Sequence, residues 1–75
     1  MMSGSYAVIL VYSTSQAIRV ERLLAKAGVP GRLIPVPGGL SSDSGVCVRI
    51  HAYDREMAVH ILQANGARIE AIHAI

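Results

Sequence analysis

Charge is scarce in this chain of 75 residues: Asp, Glu, Lys and Arg make up only 16% of it, against about 25% in ordinary soluble domains. Seven basic and five acidic residues leave a formal net charge of +2. They are scattered, with no basic run, so no stripe built to neutralise a phosphate backbone is legible. The single cysteine excludes a disulfide within a monomer, and an unpaired thiol agrees with a reducing compartment. No apolar run approaches the roughly 20 residues a membrane-spanning helix needs; the longest, Tyr6 to Tyr12, is far shorter. The opening Met1-Met2-Ser3-Gly4-Ser5 has neither the positive region nor the cleavage site of a signal peptide. A cytoplasmic location is therefore expected.

What the chain has in excess is apolar surface, with 52% hydrophobic residues. One domain spanning residues 1–75 is expected, near the lower end of what folds around a single core. So small a body has much surface to cover, and burial between subunits is the simplest destination for the excess. That predicts a homo-oligomer.

Tyr6-Ala7-Val8-Ile9-Leu10-Val11-Tyr12 is a continuous apolar run rich in β-branched and aromatic residues, the pattern of a strand buried on both faces. Ser13 followed by Gln16 three residues later is a capping-box signal. A helix follows to about Ala27, with Ala17, Val20, Leu23, Leu24 and Ala27 on its inner stripe and Arg19, Arg22 and Lys26 facing water. Gly28 supplies the left-handed cap and Pro30 forbids continuation. Arg32 to Val36 reads as a second strand, and Pro35 and Pro37 confine it to a sheet edge because proline cannot donate to the ladder. Val46 to Ala52 reads as a third, with Val46, Val48 and Ile50 on one face and Cys47, Arg49 and His51 on the other. Asp54 is a fitting N-cap for a second helix whose inner stripe is Met57, Ala58, Ile61 and Leu62, and Asn65-Gly66 stops it. Arg68 to Ile75 alternates as a last strand.

The order βαββαβ, in two halves of similar length, predicts an α+β ferredoxin-like fold: a four-stranded antiparallel sheet with both helices on one face. The first and third strands are then central and the second and fourth are edges. Cys47, Arg49 and His51 lie on the face away from the helices. A partly apolar open face of this kind is a surface for contact between subunits.

Chemistry is sought first in the segment from Ile34 to Ile50, which holds the only cysteine. Cys47 and His51 share a face but stand about 13 Å apart at roughly 3.3 Å per residue, too far to share a metal whose bonds are about 2.0 to 2.3 Å. His60, beside Glu56, and His73 complete no ligand spacing, so no metal and no cofactor is expected. Ser41, Ser42 and Ser44 have no histidine neighbour in sequence, and a polar turn accounts for them better than a hydrolase does. RNA binding on such a fold would need aromatics on the central strands, and the third strand has none. Backbone N–H groups at Gly38-Gly39, Ser41-Ser42 and Gly45 can serve an anion. Cys47 is either a small buried hydrophobe or a thiol activated by a cation such as Arg49.

The apolar strand, the Ser/Thr-rich cap, the helix containing Glu21 and ending Ala27-Gly28-Val29-Pro30, then Arg32-Leu33-Ile34-Pro35-Val36-Pro37 and Leu40-Ser41-Ser42-Asp43-Ser44-Gly45 together resemble the small bacterial selenium/sulfur carrier-like family, a domain of unknown function. The resemblance covers most of the chain and is most specific at Ile-Pro-Val-Pro followed by Ser-Ser-x-x-Gly. It implies a cysteine before the glycine, holding sulfur or selenium as a persulfide-type adduct, and a basic residue after the second proline. Here those positions are Ser44 and Gly38. Cys47 lies three positions beyond Ser44, an odd offset that reverses the face of a strand, so it is not a simple substitute: either the loop is rearranged and Cys47 is the acceptor, with Arg49 as thiolate stabiliser, or thiol chemistry is lost and a binding or assembly role remains.

The resulting expectation is a non-enzymatic cytoplasmic protein that presents its 35–47 loop and open sheet face to a sulfur- or selenium-handling partner, with neither nucleic acid nor membrane involved. The loop candidates are Pro35, Pro37, Gly38, Gly39, Ser41, Ser42, Ser44, Gly45 and Arg49. The alternatives are a regulatory module binding a small anion or partner, and a structural oligomer without thiol chemistry.

Overall fold

The computed structural model describes residues 5–75; residues 1–4, on which the reading of no signal peptide largely rests, lie outside the described residues. The elements are β1 (Tyr6–Leu10), α1 (Thr14–Lys26), β2 (Gly31–Pro35), β3 (Val46–His51), a single 3-10 turn (Ala52–Asp54), α2 (Arg55–Ala64) and β4 (Ala71–Ala74). They build one four-stranded sheet in the order β2-β3-β1-β4, with every pairing antiparallel. This is the α+β ferredoxin-like arrangement, with β1 and β3 central and the proline-bearing β2 at an edge.

Local signals explain where the helices begin and end. Ser13 caps α1, its hydroxyl accepting from the Gln16 N–H, while the Gln16 side chain accepts from the Tyr12 N–H at 2.9 Å. The first satisfies a backbone donor that a helix start leaves free; the second reaches Tyr12, one residue before the cap, instead of the Ser13 N–H of a full capping box. At the other end Val29 N–H reaches the Leu24 carbonyl and Gly28 N–H the Ala25 carbonyl, with Gly28 at φ 85°. This is a Schellman closure, and it carries Val29 back against Leu24 in the core. Ala67 and Gly66 close α2 onto Leu62 and Gln63 in the same way.

The core lies between the sheet and the helices, where Ala7, Ile9, Val11, Val48 and Ile50 meet Ala17, Val20 and Leu24 of α1 and Ala58 and Leu62 of α2. Some expected boundaries and stripe members differ. β3 stops at His51 because Ala52–Asp54 winds into a 3-10 turn, and Asp54, although at the N-cap of α2, makes no side-chain capping bond. β4 is limited to Ala71–Ala74, the length over which β1 offers partners. Met57 is 57% exposed rather than in the inner stripe. α2 rests on the sheet through Ala58 and Leu62, which leaves Met57 on its flank beside Tyr53, Glu56 and His60. Ala27, at the end of α1, is also exposed.

Truncating Leu24, which has no exposed surface, is expected to cost about 2 to 5 kcal/mol. Gly28→Ala is expected to cost about 1 to 2 kcal/mol because of its positive φ. Gly38→Ala, where φ is not positive, should stay within about 0.5 kcal/mol. Urea unfolding of the three variants, compared at equal m-value, checks this ranking.

Candidate functional site

The loop from residue 36 to residue 45 folds back across the sheet face opposite the helices. Its neck is closed by the Val36 N–H donating to the Gly45 carbonyl at 3.2 Å, which continues the β2–β3 ladder one step beyond Pro35. The Leu40 N–H donates to the Pro37 carbonyl at 3.2 Å, a turn through Gly38-Gly39 in which Gly39 has φ 90°, as the third position of a type II turn requires. This turn points Leu40 inward. Val36 and Leu40, with Ile34 and Ala71, pack on Val8, Leu10 and Cys47 as a second, smaller core.

The serines tie the loop to the end of the sheet. Ser42 Oγ donates to the Val11 carbonyl at 2.9 Å, just past β1; Glu70 Oε1 stands 3.3 Å away and competes for that single proton. The same oxygen lies 3.3 Å from Ser44 Oγ and accepts from the Ser44 N–H at 3.4 Å. Ser44 Oγ donates to the Val46 carbonyl and accepts from the Val46 N–H at 3.2 Å. Each hydroxyl proton therefore has a backbone acceptor. In addition, Glu70 N–H donates to the Leu10 carbonyl at 2.7 Å, so β1, β4 and the loop converge here. This network is a loop anchor. No histidine takes part in it, and a serine whose proton is held by a carbonyl is not an activated nucleophile.

Cys47 is directly opposite Leu10 on β1 and Ile34 on β2, on the face away from the helices as strand alternation predicts. It has no exposed surface. Burial pushes its thiol above the ordinary value of 9.0, because an apolar setting disfavours the charged thiolate. Arg49 lies on the same face but is engaged elsewhere, its guanidinium carbon 4.3 Å from the centre of the Tyr6 ring. The two requirements of a reactive thiol, exposure and a nearby cation, are both unmet in this conformation.

The structure therefore gathers Ser42, Ser44 and Gly45 at the loop neck and anchor, and places Pro35, Gly38, Gly39 and Ser41 on the exposed surface with Pro37 half-buried. Arg49 belongs to a different neighbourhood. The N–H groups of Val36, Leu40, Ser44 and Val46 are used inside the loop; the N–H groups of Gly38, Gly39, Ser41, Ser42 and Gly45 are not among these. Among the described residues no three His, Cys, Asp or Glu side chains converge. Leu40 and Glu70 were not anticipated. Leu40 did carry a signal, being the one large apolar residue in the otherwise polar stretch from Pro37 to Gly45, whereas nothing local marks Glu70.

The family model described as "Putative Se/S carrier protein-like" matches residues 6–74. This chain belongs to that family. No curated protein and no solved structure matches it. The matched span of the Se/S carrier-like domain covers all the secondary structure and the whole loop. No helix of the described residues is long and apolar enough to cross a membrane.

Two measurements test the covered thiol of this Se/S carrier-like protein. Leu40→Ala is expected to speed disulfide-reagent labelling of the native protein about tenfold, the effect of roughly 1.4 kcal/mol less burial holding the loop closed. The raised thiol also makes stability depend on pH. Below the ordinary 9.0 both folded and unfolded thiols are protonated and the full contribution is present. As pH climbs beyond that value the unfolded thiol ionises first, and stability falls until the folded thiol ionises too. Urea midpoints between about pH 8 and 10.5 should therefore drop more steeply for the parent protein than for Cys47→Ala.

Proposed function

We propose that this Se/S carrier-like protein is a non-enzymatic cytoplasmic module that engages a sulfur- or selenium-handling protein through the outer surface of residues 36–45, without holding the transferred atom on a thiol. The burial of Cys47 at 0% exposure beneath Leu40 and Val36 carries this reading. Ser44, at the position where the family resemblance implies cysteine, has its hydroxyl engaged by both backbone groups of Val46.

What remains for a partner is a shaped, prepaid surface. The neck bond, the Gly38-Gly39 turn and the Ser42 tie to Val11 hold the loop in place, so little ordering entropy is lost on docking. Gly38, Gly39, Ser41, Asp43 and Gly45 are exposed along it. Only Asp43 among them is charged, so contact there depends on backbone groups and shape.

Intact mass after incubation with a persulfide donor tests the reading. The native protein is expected to gain no sulfur, and the denatured protein to gain one on Cys47. Stoichiometric transfer to Cys47 of the native protein would overturn the proposal and restore that residue as carrier. In a Cys47→Ala background, Ser44→Cys is expected to create a half-buried thiol at the loop neck that labels in the native state.

A further inference from the structure

The uncovered half of the open sheet face carries a second set of features, at the end of the sheet remote from the serine anchor. Tyr6 is directly opposite His51, and their rings stack with centroids 5.4 Å apart. Tyr53, in the 3-10 turn, stacks on the other neighbour of this series, 4.9 Å from His51 and only 4° from parallel. Arg49 lies over Tyr6 at 4.3 Å. The result is a continuous run, Arg49–Tyr6–His51–Tyr53. It ends in a tyrosine that is 82% exposed.

The uncovered half brings two cations together. Arg32 on β2 is directly opposite Arg49 on β3, and like charges so placed destabilise a sheet. Neither arginine forms an ion pair with any of the five acidic residues, among the described residues. An open cleft of about 170 Å³ runs between them, lined also by Tyr6, Pro30, Gly31 and His51. It is smaller than the roughly 300 Å³ at which pockets begin to enclose a whole small molecule, but ample for a phosphate between two guanidinium groups. A flat ring open at one end of this run and an anion-sized cationic cleft at the other are complementary to a base and a more distant phosphate of one extended strand.

We propose that this face binds single-stranded nucleic acid, with a base stacked on Tyr53 and a phosphate further along the same strand held between Arg32 and Arg49. A scan along β3 alone finds no aromatic. Antiparallel register is what brings Tyr6 of β1 beside His51, and the stack these two rings build with Tyr53 leaves the outer face of Tyr53 for a base. The shallowness of the surface favours a strand that lies across it over a mononucleotide that must be enclosed. The serine anchor and the covered thiol play no part, so this inference stands apart from the loop's proposed role.

Fluorescence anisotropy of the full chain with labelled single strands of about eight nucleotides, RNA and DNA in parallel and over a salt series, tests it. Saturable binding of at least one strand is expected. Tyr53→Ala should weaken it about tenfold, a change that an exposed side chain permits without unfolding. Arg32→Gln and Arg49→Gln should each lower the slope of log affinity against log salt by about 0.7. Arg22→Gln, on the exposed face of α1, should match the parent protein. Absence of binding at low salt overturns the proposal, as does binding that Tyr53→Ala and the two sheet arginines affect no more than Arg22→Gln does. Saturable binding of uridine monophosphate with none of either strand would equally overturn it.

Discussion

A central strand whose side chains from Ala7 onward are all apolar must be covered on both faces there, and most of this structure follows from that demand. Ala7, Val8, Ile9, Leu10 and Val11 are all buried, yet a ferredoxin-like sheet offers helices on one face only. The helices cover Ala7, Ile9 and Val11. Val8 and Leu10 face the other way, and the loop after β2 supplies their cover by sending Val36 and Leu40 across the sheet. Burying a Leu- or Val-sized side chain is worth about 1.5 to 3 kcal/mol, enough to hold a loop that would otherwise be solvated. Part of the apolar excess that composition would send to a subunit interface is thus absorbed within the chain.

The same cover decides the character of the thiol. Cys47 shares its row of the sheet with Leu10 and Ile34, so whatever protects Leu10 also seals the sulfur. The loop's polar residues then do structural work, since Ser42 and Ser44 satisfy backbone groups at the point where β1 ends and β3 begins. At the opposite end of the sheet, where the loop does not reach, the face stays open and its side chains are cationic and aromatic. One face thus has a closed apolar half and an open polar half.

Much of the scaffold was legible from short-range patterns. Ser13 with Gln16, Gly28 before Pro30, and Asn65-Gly66 each mark a helix end through interactions spanning only a few residues, and each stands where expected. Pro35 confined its strand to an edge for a reason that needs no partner to be known. The helix inner faces were less secure. Periodicity puts Met57 beside the stripe of α2, but only the docking of Ala58 and Leu62 on the sheet decides that Met57 stays in water. The site was legible as a segment rather than as an arrangement, because the partners of Ser42 lie 31 and 28 residues away at Val11 and Glu70.

The sequence by itself determined the order of elements, their caps, the edge position of the proline strand and the face on which Cys47 emerges. All of these depend on backbone stereochemistry or on the two-residue period of a strand. Tertiary structure alone decided that the loop closes over Cys47, that Ser44 is spent on Val46, and that Tyr6 meets His51 beside an unpaired couple of arginines. Those outcomes depend on register and on apolar packing between segments distant in the chain. No local pattern encodes them, because the free energy that selects them is gained only when the strands are already side by side.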